Sequence, residues 1–371
     1  MVLEDGTTFE GSGFGYPCEV TGEVVFNTGM VGYPEALTDP SYSGQILTQT
    51  YPLIGNYGIP SFSLIDEFGM PLHFESNRIQ VKAYIVHKLS QSMSHWSAKK
   101  SLNQWLFEQK IPGIEGIDTR FLTRKLRVKG VMLGILKVFE RDEKVDIKKY
   151  RKKAKHIPDP NETNLVKNVT INSPMRYESG NSPRVIVIDC GVKFGIMRNL
   201  LKQNVDVFRV PFDFPLDKIL SYEPNGILIS NGPGDPKMCK TPIQTLKELL
   251  EMNMPMMGIC LGTQLLALAA GGDTYKLKFG HRGQNHPSIN LKTKKCYVTS
   301  QNHGYAIEPK SLEGTGFEVS FINVNDKTVE GIEHKTKDVF AVQFHPEASP
   351  GPYETGFLFD DFIRRIKKHE N

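Results

Sequence analysis

The rhythm of hydrophobic and polar positions changes about halfway along this chain. In the first half, short apolar runs alternate with turn residues, and Val24 to Phe26, Ile46 to Thr50 and Val81 to Val86 each read as strands. Val2-Leu3-Glu4 and Thr7-Thr8-Phe9-Glu10 flank Asp5-Gly6, a strong hairpin signal. Between the polar entry Ser94-His95-Trp96-Ser97 and the break at Pro112-Gly113, the spacing predicts a helix over 97–109. The second half opens on Arg184-Val185-Ile186-Val187-Ile188-Asp189, a continuous apolar run of the kind a parallel sheet buries on both faces. Helical patterns over 197–203, 216–221 and 242–252 then alternate with strand patterns over 205–210 and 227–230. That alternation predicts a flavodoxin-like α/β unit with a mostly parallel sheet. Residues 158–183 are polar, rich in Asn, Ser and Pro, and carry no sustained period; they read as a linker between a unit over 1–157 and one over 184–371. There is no internal repeat.

Composition narrows the picture without redrawing it. The 371 residues, 39% hydrophobic and 23% charged, suffice for two full cores. A net charge of +4 is too small to argue for nucleic acid. The basic run Lys148 to His156 reads as a solvated helix face near a domain end. No apolar run approaches the ~20 residues that span a bilayer, and Met1-Val2-Leu3-Glu4 shows no leader pattern. The five cysteines are odd in number and scattered, which fits reduced thiols in the cytoplasm, and no C-x-x-C pair points to a metal.

The most specific stretch is Gly258-Ile259-Cys260-Leu261-Gly262. It follows an apolar run, opens a helical one, and has the Gly-x-nucleophile-x-Gly spacing of a nucleophile elbow with cysteine as nucleophile. Side chains at the two glycine positions would collide in so sharp a turn. A helix N-terminus contributes roughly 0.3–1 kcal/mol toward a thiolate, too little against a free thiol pKa of about 8.5. A paired imidazolium is therefore required. Val342-Gln343-Phe344-His345-Pro346-Glu347 supplies one: leaving a strand end, residues i and i+2 face one side, so Glu347 can orient the His345 ring. A third segment, Asn231-Gly232-Pro233-Gly234-Asp235-Pro236, follows the buried strand at 227–230. Substrates of open α/β sheets lie at such carboxyl ends.

The elbow, Phe344-His345-Pro346-Glu347 and the Gly-Pro-Gly turn together resemble the class I (triad) glutamine amidotransferases. Five further stretches resemble the glutaminase small subunit of carbamoyl-phosphate synthetase: Thr299 to Tyr305, Phe279 to Pro287, Gly22 to Met30, Leu37 to Ser43, and Ile117 to Arg120. The resemblance covers essentially the whole chain. Another triad amidotransferase would share only the C-terminal half, and a non-catalytic scaffold would have lost the cysteine.

This resemblance implies an N-terminal small-subunit-specific α/β domain followed by a class I amidotransferase domain. It implies glutamine hydrolysis with Cys260 as nucleophile, His345 as acid and base, and Glu347 as its orienter. It places Ser41, Gly232, Gly234, Leu261, Gln264, Asn302, Gly304 and Tyr305 around L-glutamine, with Ser41 reaching in from the N-terminal half. Tyr305 stands where Phe is frequent, Thr263 where His is common, and Gly130 to Gly134 is looser than the family pattern. No phosphate-binding loop occurs. The resemblance therefore assigns ATP and magnesium to a larger synthetase subunit docked on this one, with no cofactor or metal in this chain. Carbamoyl phosphate made there would serve arginine or pyrimidine biosynthesis.

Overall fold

The computed structural model describes residues 1–140, 142–143, 145–178 and 183–369. Contacts divide the chain into two units, Met1–Thr163 and Asn164–Asn371.

The N-terminal unit is built on a seven-stranded mixed sheet. Its order is Val2–Leu3, Met132–Lys137, Glu19–Asn27, Gln45–Gln49, Ala83–Ile85, Pro112–Glu115 and Ser12–Gly15. The strands from Glu19–Asn27 through Pro112–Glu115 pair in parallel, and the outer pairs are antiparallel. The runs read as strands at 24–26, 46–50 and 81–86 all fall in this parallel centre. The expected hairpin shrinks to one bridge, Val2 to Thr8, because Val2 and Leu3 pair instead with Ile135 and Gly134. The helix expected over 97–109 spans only Leu102–Glu108. Lys100 is held by a bridge to Ile59, and the Ser101 hydroxyl accepts the Gln104 N–H at 3.2 Å, which makes Ser101 the N-cap. Trp105 anchors that helix, buried and packed on the rings of Phe62 and Phe74. The basic run forms the helix Ile147–Ala154, with Tyr150 and Ala154 packed on Val2 and Ile135 and its cations exposed.

In the C-terminal unit five parallel strands lie side by side: Asp206–Pro211, Arg184–Asp189, Gly226–Ile229, Met256–Ile259 and Val339–Val342. Ile227, Leu228 and Ile229 are each 0% exposed, so this sheet is covered on both faces, as the unbroken apolar runs require. The helices Phe194–Leu201, Leu216–Ser221 and Lys240–Glu251 fall within four residues of the ranges expected for them. Antiparallel strands extend the sheet beyond what the alternating pattern anticipates. Met175–Tyr177 adds one edge, and Val329–His334, Phe317–Asn323, Thr274–Asn290 and Cys296–Ile307 add the other.

The stretch read as a linker is structured in its own right. The Asn161 amide donates to Glu23 at 3.1 Å within the N-terminal unit, while Val166 joins the apolar core of the C-terminal one. Residues 179–182 of that stretch lie outside the described residues. Among the described residues no helix is long and apolar enough to cross a membrane.

Candidate active site

One residue, Cys260, separates the strand Met256–Ile259 from the helix Leu261–Ala269. Its φ is positive, 54° with ψ −104°, a conformation costing a side-chain-bearing residue on the order of 1–3 kcal/mol. The neighbouring strand holds it there. The Cys260 N–H donates to the Val342 carbonyl at 2.8 Å, and the Thr263 hydroxyl donates to the same oxygen at 2.6 Å. Thr263 thus pins the elbow at the position where the resemblance expects histidine. Both elbow glycines are set by close approach. A Cβ on Gly258 would stand 2.8 Å from Leu266 and 2.9 Å from Ala341; on Gly262 it would stand 2.2 Å from the Ile229 carbonyl. Leu261 and Gly262 open the helix, so their N–H groups have no partner within it.

The thiol of Cys260 is buried and donates to the Asn302 carbonyl at 3.6 Å. His345 Nδ1 and Glu347 Oε1 are 2.6 Å apart, both side chains buried. The strand stops at Val342, so this contact forms in a bend beyond it rather than on one strand face as expected. A backbone bond from His345 to the Ser300 carbonyl, 2.9 Å, holds the bend against the long antiparallel hairpin. Nε2 of His345, the nitrogen left for proton transfer, has no partner with hydrogen-bond geometry.

A residue that sequence reasoning missed completes the cluster. The Lys193 ammonium, 4% exposed, donates to Glu347 Oε1 at 2.8 Å. A single lysine among 45 cationic residues carries no signal in the sequence; only its place after the strand Arg184–Asp189 makes it visible. That place is fixed by Asp189, whose carboxylate accepts the Gly191 and Val192 N–H groups at 2.9 and 2.7 Å and pairs with Arg209 at 2.8 Å.

Electrostatics follow from these contacts. Burial opposes the His345 imidazolium, but the Glu347 carboxylate outweighs it, with Cys260 adding and Lys193 opposing, and the pKa rises from 6.5 to about 10. Burial also pushes the Glu347 carboxyl up; Lys193 and then His345 reverse this and hold it at about 2. With Cys260 as thiolate, two anions would face two cations, so the buried set is neutral as a whole. The arrangement can deliver a sulfur nucleophile and return a proton to a leaving group.

The remaining expected site residues sort by position. Gln264 is buried and its amide donates to the Tyr305 carbonyl at 2.9 Å and to Gln343 at 3.0 Å, which brings Gln264 and Tyr305 together. Asn302 touches the thiol through its backbone, and Gly304 lies on the same strand, Cys296–Ile307. In the turn after Gly226–Ile229, a Cβ on Gly232 would meet the Cys190 carbonyl at 2.2 Å, and Gly234 has φ 88°. Asn231 of that turn accepts the Lys193 N–H at 3.1 Å, tying the two loops together. Ser41 belongs to the N-terminal unit, in the turn Pro40–Tyr42, where its N–H donates to Asp39 at 2.9 Å.

Comparison with known proteins gives the family. Residues 186–365 match the family model "Glutamine amidotransferase class-I", and residues 1–136 match "Carbamoyl-phosphate synthase small chain, CPSase domain". The chain is 46% identical to the carbamoyl phosphate synthase small chain of Methanopyrus kandleri, over 100% of this chain and 99% of that one. It is 48% identical to the small chain of Methanocaldococcus jannaschii, over 98% of each. Against the human "Carbamoyl-phosphate synthase [ammonia], mitochondrial" it is 45% identical over 99% of this chain and 24% of that protein. This chain therefore belongs to the carbamoyl phosphate synthase small chain family and carries that family's class I glutamine amidotransferase domain.

Proposed function

We propose that this chain hydrolyses the carboxamide of L-glutamine through a thioester on Cys260. The observation that carries the reading is the buried His345–Glu347 pair at 2.6 Å, set beside a cysteine in a strained elbow. Family membership alone leaves the nitrogen source open, because one relative is named for ammonia; the intact Cys260, His345 and Glu347 favour glutamine.

The Cys260 sulfur adds to the amide carbon, and backbone N–H groups of Leu261 and the Gly232–Gly234 turn stabilise the oxyanion. His345 gives its proton to the departing nitrogen, and ammonia leaves as the thioester forms. The now neutral imidazole takes a proton from water, hydroxide adds to the thioester carbon, and glutamate departs as the Cys260 thiolate is restored. Glu347 keeps the imidazole oriented. The resemblance adds Gln264, Asn302, Gly304 and Tyr305 as glutamine contacts, and Ser41 from the N-terminal unit.

Ammonia released into neutral water is mostly protonated and no longer nucleophilic, so the product is handed to a docked partner. That partner is a large synthetase subunit that uses ATP and magnesium to make carbamoyl phosphate, in the cytoplasm, for arginine or pyrimidine synthesis. The human relative supports a physical union, since the match leaves 76% of its single chain outside. The test is glutamate release by the purified chain alone and then with the partner, bicarbonate and ATP. Turnover is expected to rise at least about tenfold in the complex, a floor set below the about 10²–10³ that one misplaced oxyanion donor costs. Glutamine hydrolysis at the wild-type rate by Cys260→Ser would overturn the reading.

A further inference from the structure

The strand Cys296–Ile307 carries a second group of buried polar side chains, Gln301 and His303. They meet His281 from Thr274–Asn290 and Glu330 from Val329–His334. One nitrogen or oxygen each of His281, His303 and Glu330 lies within 4.8 Å of the others, and the three residues are 7%, 5% and 0% exposed.

The hydrogen-bond roles around His303 do not close by themselves. His303 Nδ1 is 2.8 Å from the Tyr305 carbonyl and Nε2 is 3.2 Å from Gln301 Oε1, both acceptors. Rotating the Gln301 amide does not help. Its nitrogen side serves the Glu330 carboxylate, which can only accept, as well as the Thr299 hydroxyl at 3.1 Å, whose own proton goes to the His286 carbonyl at 2.7 Å, and the Ser288 hydroxyl at 3.3 Å, so Gln301 presents a donor there. A neutral imidazole has one proton for two acceptors, which leaves a nitrogen lone pair facing an oxygen lone pair in a buried place.

His281 and Glu330 show the same incompleteness. The Asp326 carboxylate, 2.8 Å from His281 Nε2, orients that ring. Nδ1 then points at Glu330 Oε1, 3.4 Å away, without hydrogen-bond geometry, and Glu330 Oε2 has no such partner either. Asn323 donates to Glu330 Oε1 at 3.1 Å.

We propose that His281, His303 and Glu330 form a structural zinc site. The donor set, two imidazoles and a carboxylate, is one zinc takes, and each ring has its far nitrogen on an acceptor, Asp326 or the Tyr305 carbonyl, as zinc-bound histidines do. Two ligands on a tetrahedral zinc with arms of about 2.0–2.1 Å stand about 3.3–3.4 Å apart. The His281–Glu330 separation of 3.4 Å and the His303–Gln301 separation of 3.2 Å are both close to that edge, and Gln301 Oε1 is the oxygen beside His303 that could take the fourth position. The ion would staple three antiparallel strands, one of which carries the Asn302 carbonyl that receives the Cys260 thiol. The rival arrangement has no metal and places a buried imidazolium at His281 between Asp326 and Glu330.

The test uses the full chain, purified, stripped with chelator, and titrated with zinc and then with cobalt(II) as a spectroscopic probe. The expected result is one zinc per chain by elemental analysis, visible cobalt absorption of the tetrahedral type, and a melting temperature that rises with zinc. Glu330→Gln and His281→Asn are expected to lose the metal while keeping the wild-type circular dichroism. Substoichiometric metal, no cobalt spectrum and a melting temperature indifferent to zinc in the wild type would establish the imidazolium instead. Unchanged zinc content in Glu330→Gln would also overturn the proposal. Should either variant fail to fold, the wild-type cobalt spectrum decides alone.

Discussion

His345 and His281 are both buried in the C-terminal unit, both lie against a carboxylate, and without a metal both are stronger bases than free imidazole. Burial works against the charged ring at each; Glu347 reverses it at His345, raising the pKa to about 10, while Asp326 and Glu330 reverse it at His281, raising it to about 9. The difference lies at the other ring nitrogen. At His345 it is left for the thiol of a strained elbow, and Lys193 balances the carboxylate. At His281 it faces a second buried carboxylate and no nucleophile. A histidine–carboxylate pair is therefore not chemistry in itself; what stands at the remaining nitrogen decides whether it moves protons or holds strands together.

Removing the nucleophile should give the largest effect. Cys260→Ser is nearly isosteric, so the fold should persist. Glutamate release should fall by about 10⁴-fold or more, as when a nucleophile is lost from a covalent mechanism. Carbamoyl phosphate made from added ammonia in the complex should survive. Next comes His345→Ala, which removes both the base and the cation beside the sulfur. Glutamate release should fall by about 10²–10⁴, and Cys260 alkylation by iodoacetamide at pH 6.5 should slow as well. Alkylation at the wild-type rate would mean that the imidazolium does nothing for the sulfur.

Glu347→Gln and Lys193→Met act on the cluster at one remove. A loss of about 10–100-fold in kcat, with little change in KM, is expected for each. Glu330→Gln, in the other cluster, should leave kcat close to wild type, and an equal loss there would erase the contrast between the two histidines.

The smallest effect is on stability against pH. The His345 pKa is raised on folding, from 6.5 to about 10. Its contribution is therefore complete below pH 6.5 and is lost as pH climbs toward 10. The melting-temperature gap between wild type and His345→Gln should shrink over that window. Glu347 works the other way: its pKa is depressed to about 2, so its contribution holds above pH 4.5 and fades as pH falls toward 2. A gap that stays constant from pH 6.5 to 10 would mean that His345 is not held as a cation.

Much of the candidate site's arrangement was legible in the chain where its parts are local. Gly258 and Gly262 stand two residues either side of Cys260, and His345 and Glu347 lie two residues apart, close enough to meet even in a bend. Where local signals competed with pairing, the reading slipped. The helix at Leu102 starts late because Lys100 is already bound to Ile59, and the first hairpin yields to Met132–Lys137. The long strands Thr274–Asn290 and Cys296–Ile307 escaped notice because their buried positions include His281, Arg282, Thr299, Gln301 and His303, which show no hydrophobic alternation.

The sequence by itself determined the elbow, the parallel strands buried on both faces, the Gly-Pro-Gly turn and the family. Each of these is written in the spacing of neighbouring residues, where backbone sterics and apolar periodicity leave a trace. Only the tertiary structure decided that Lys193 answers Glu347 across 154 positions, that Asp189 and Arg209 hold its loop, and that His281, His303 and Glu330 converge. Buried polar contacts join residues far apart in the chain and obey charge balance and hydrogen-bond satisfaction rather than period. They become readable only once the sheet has brought its strands side by side.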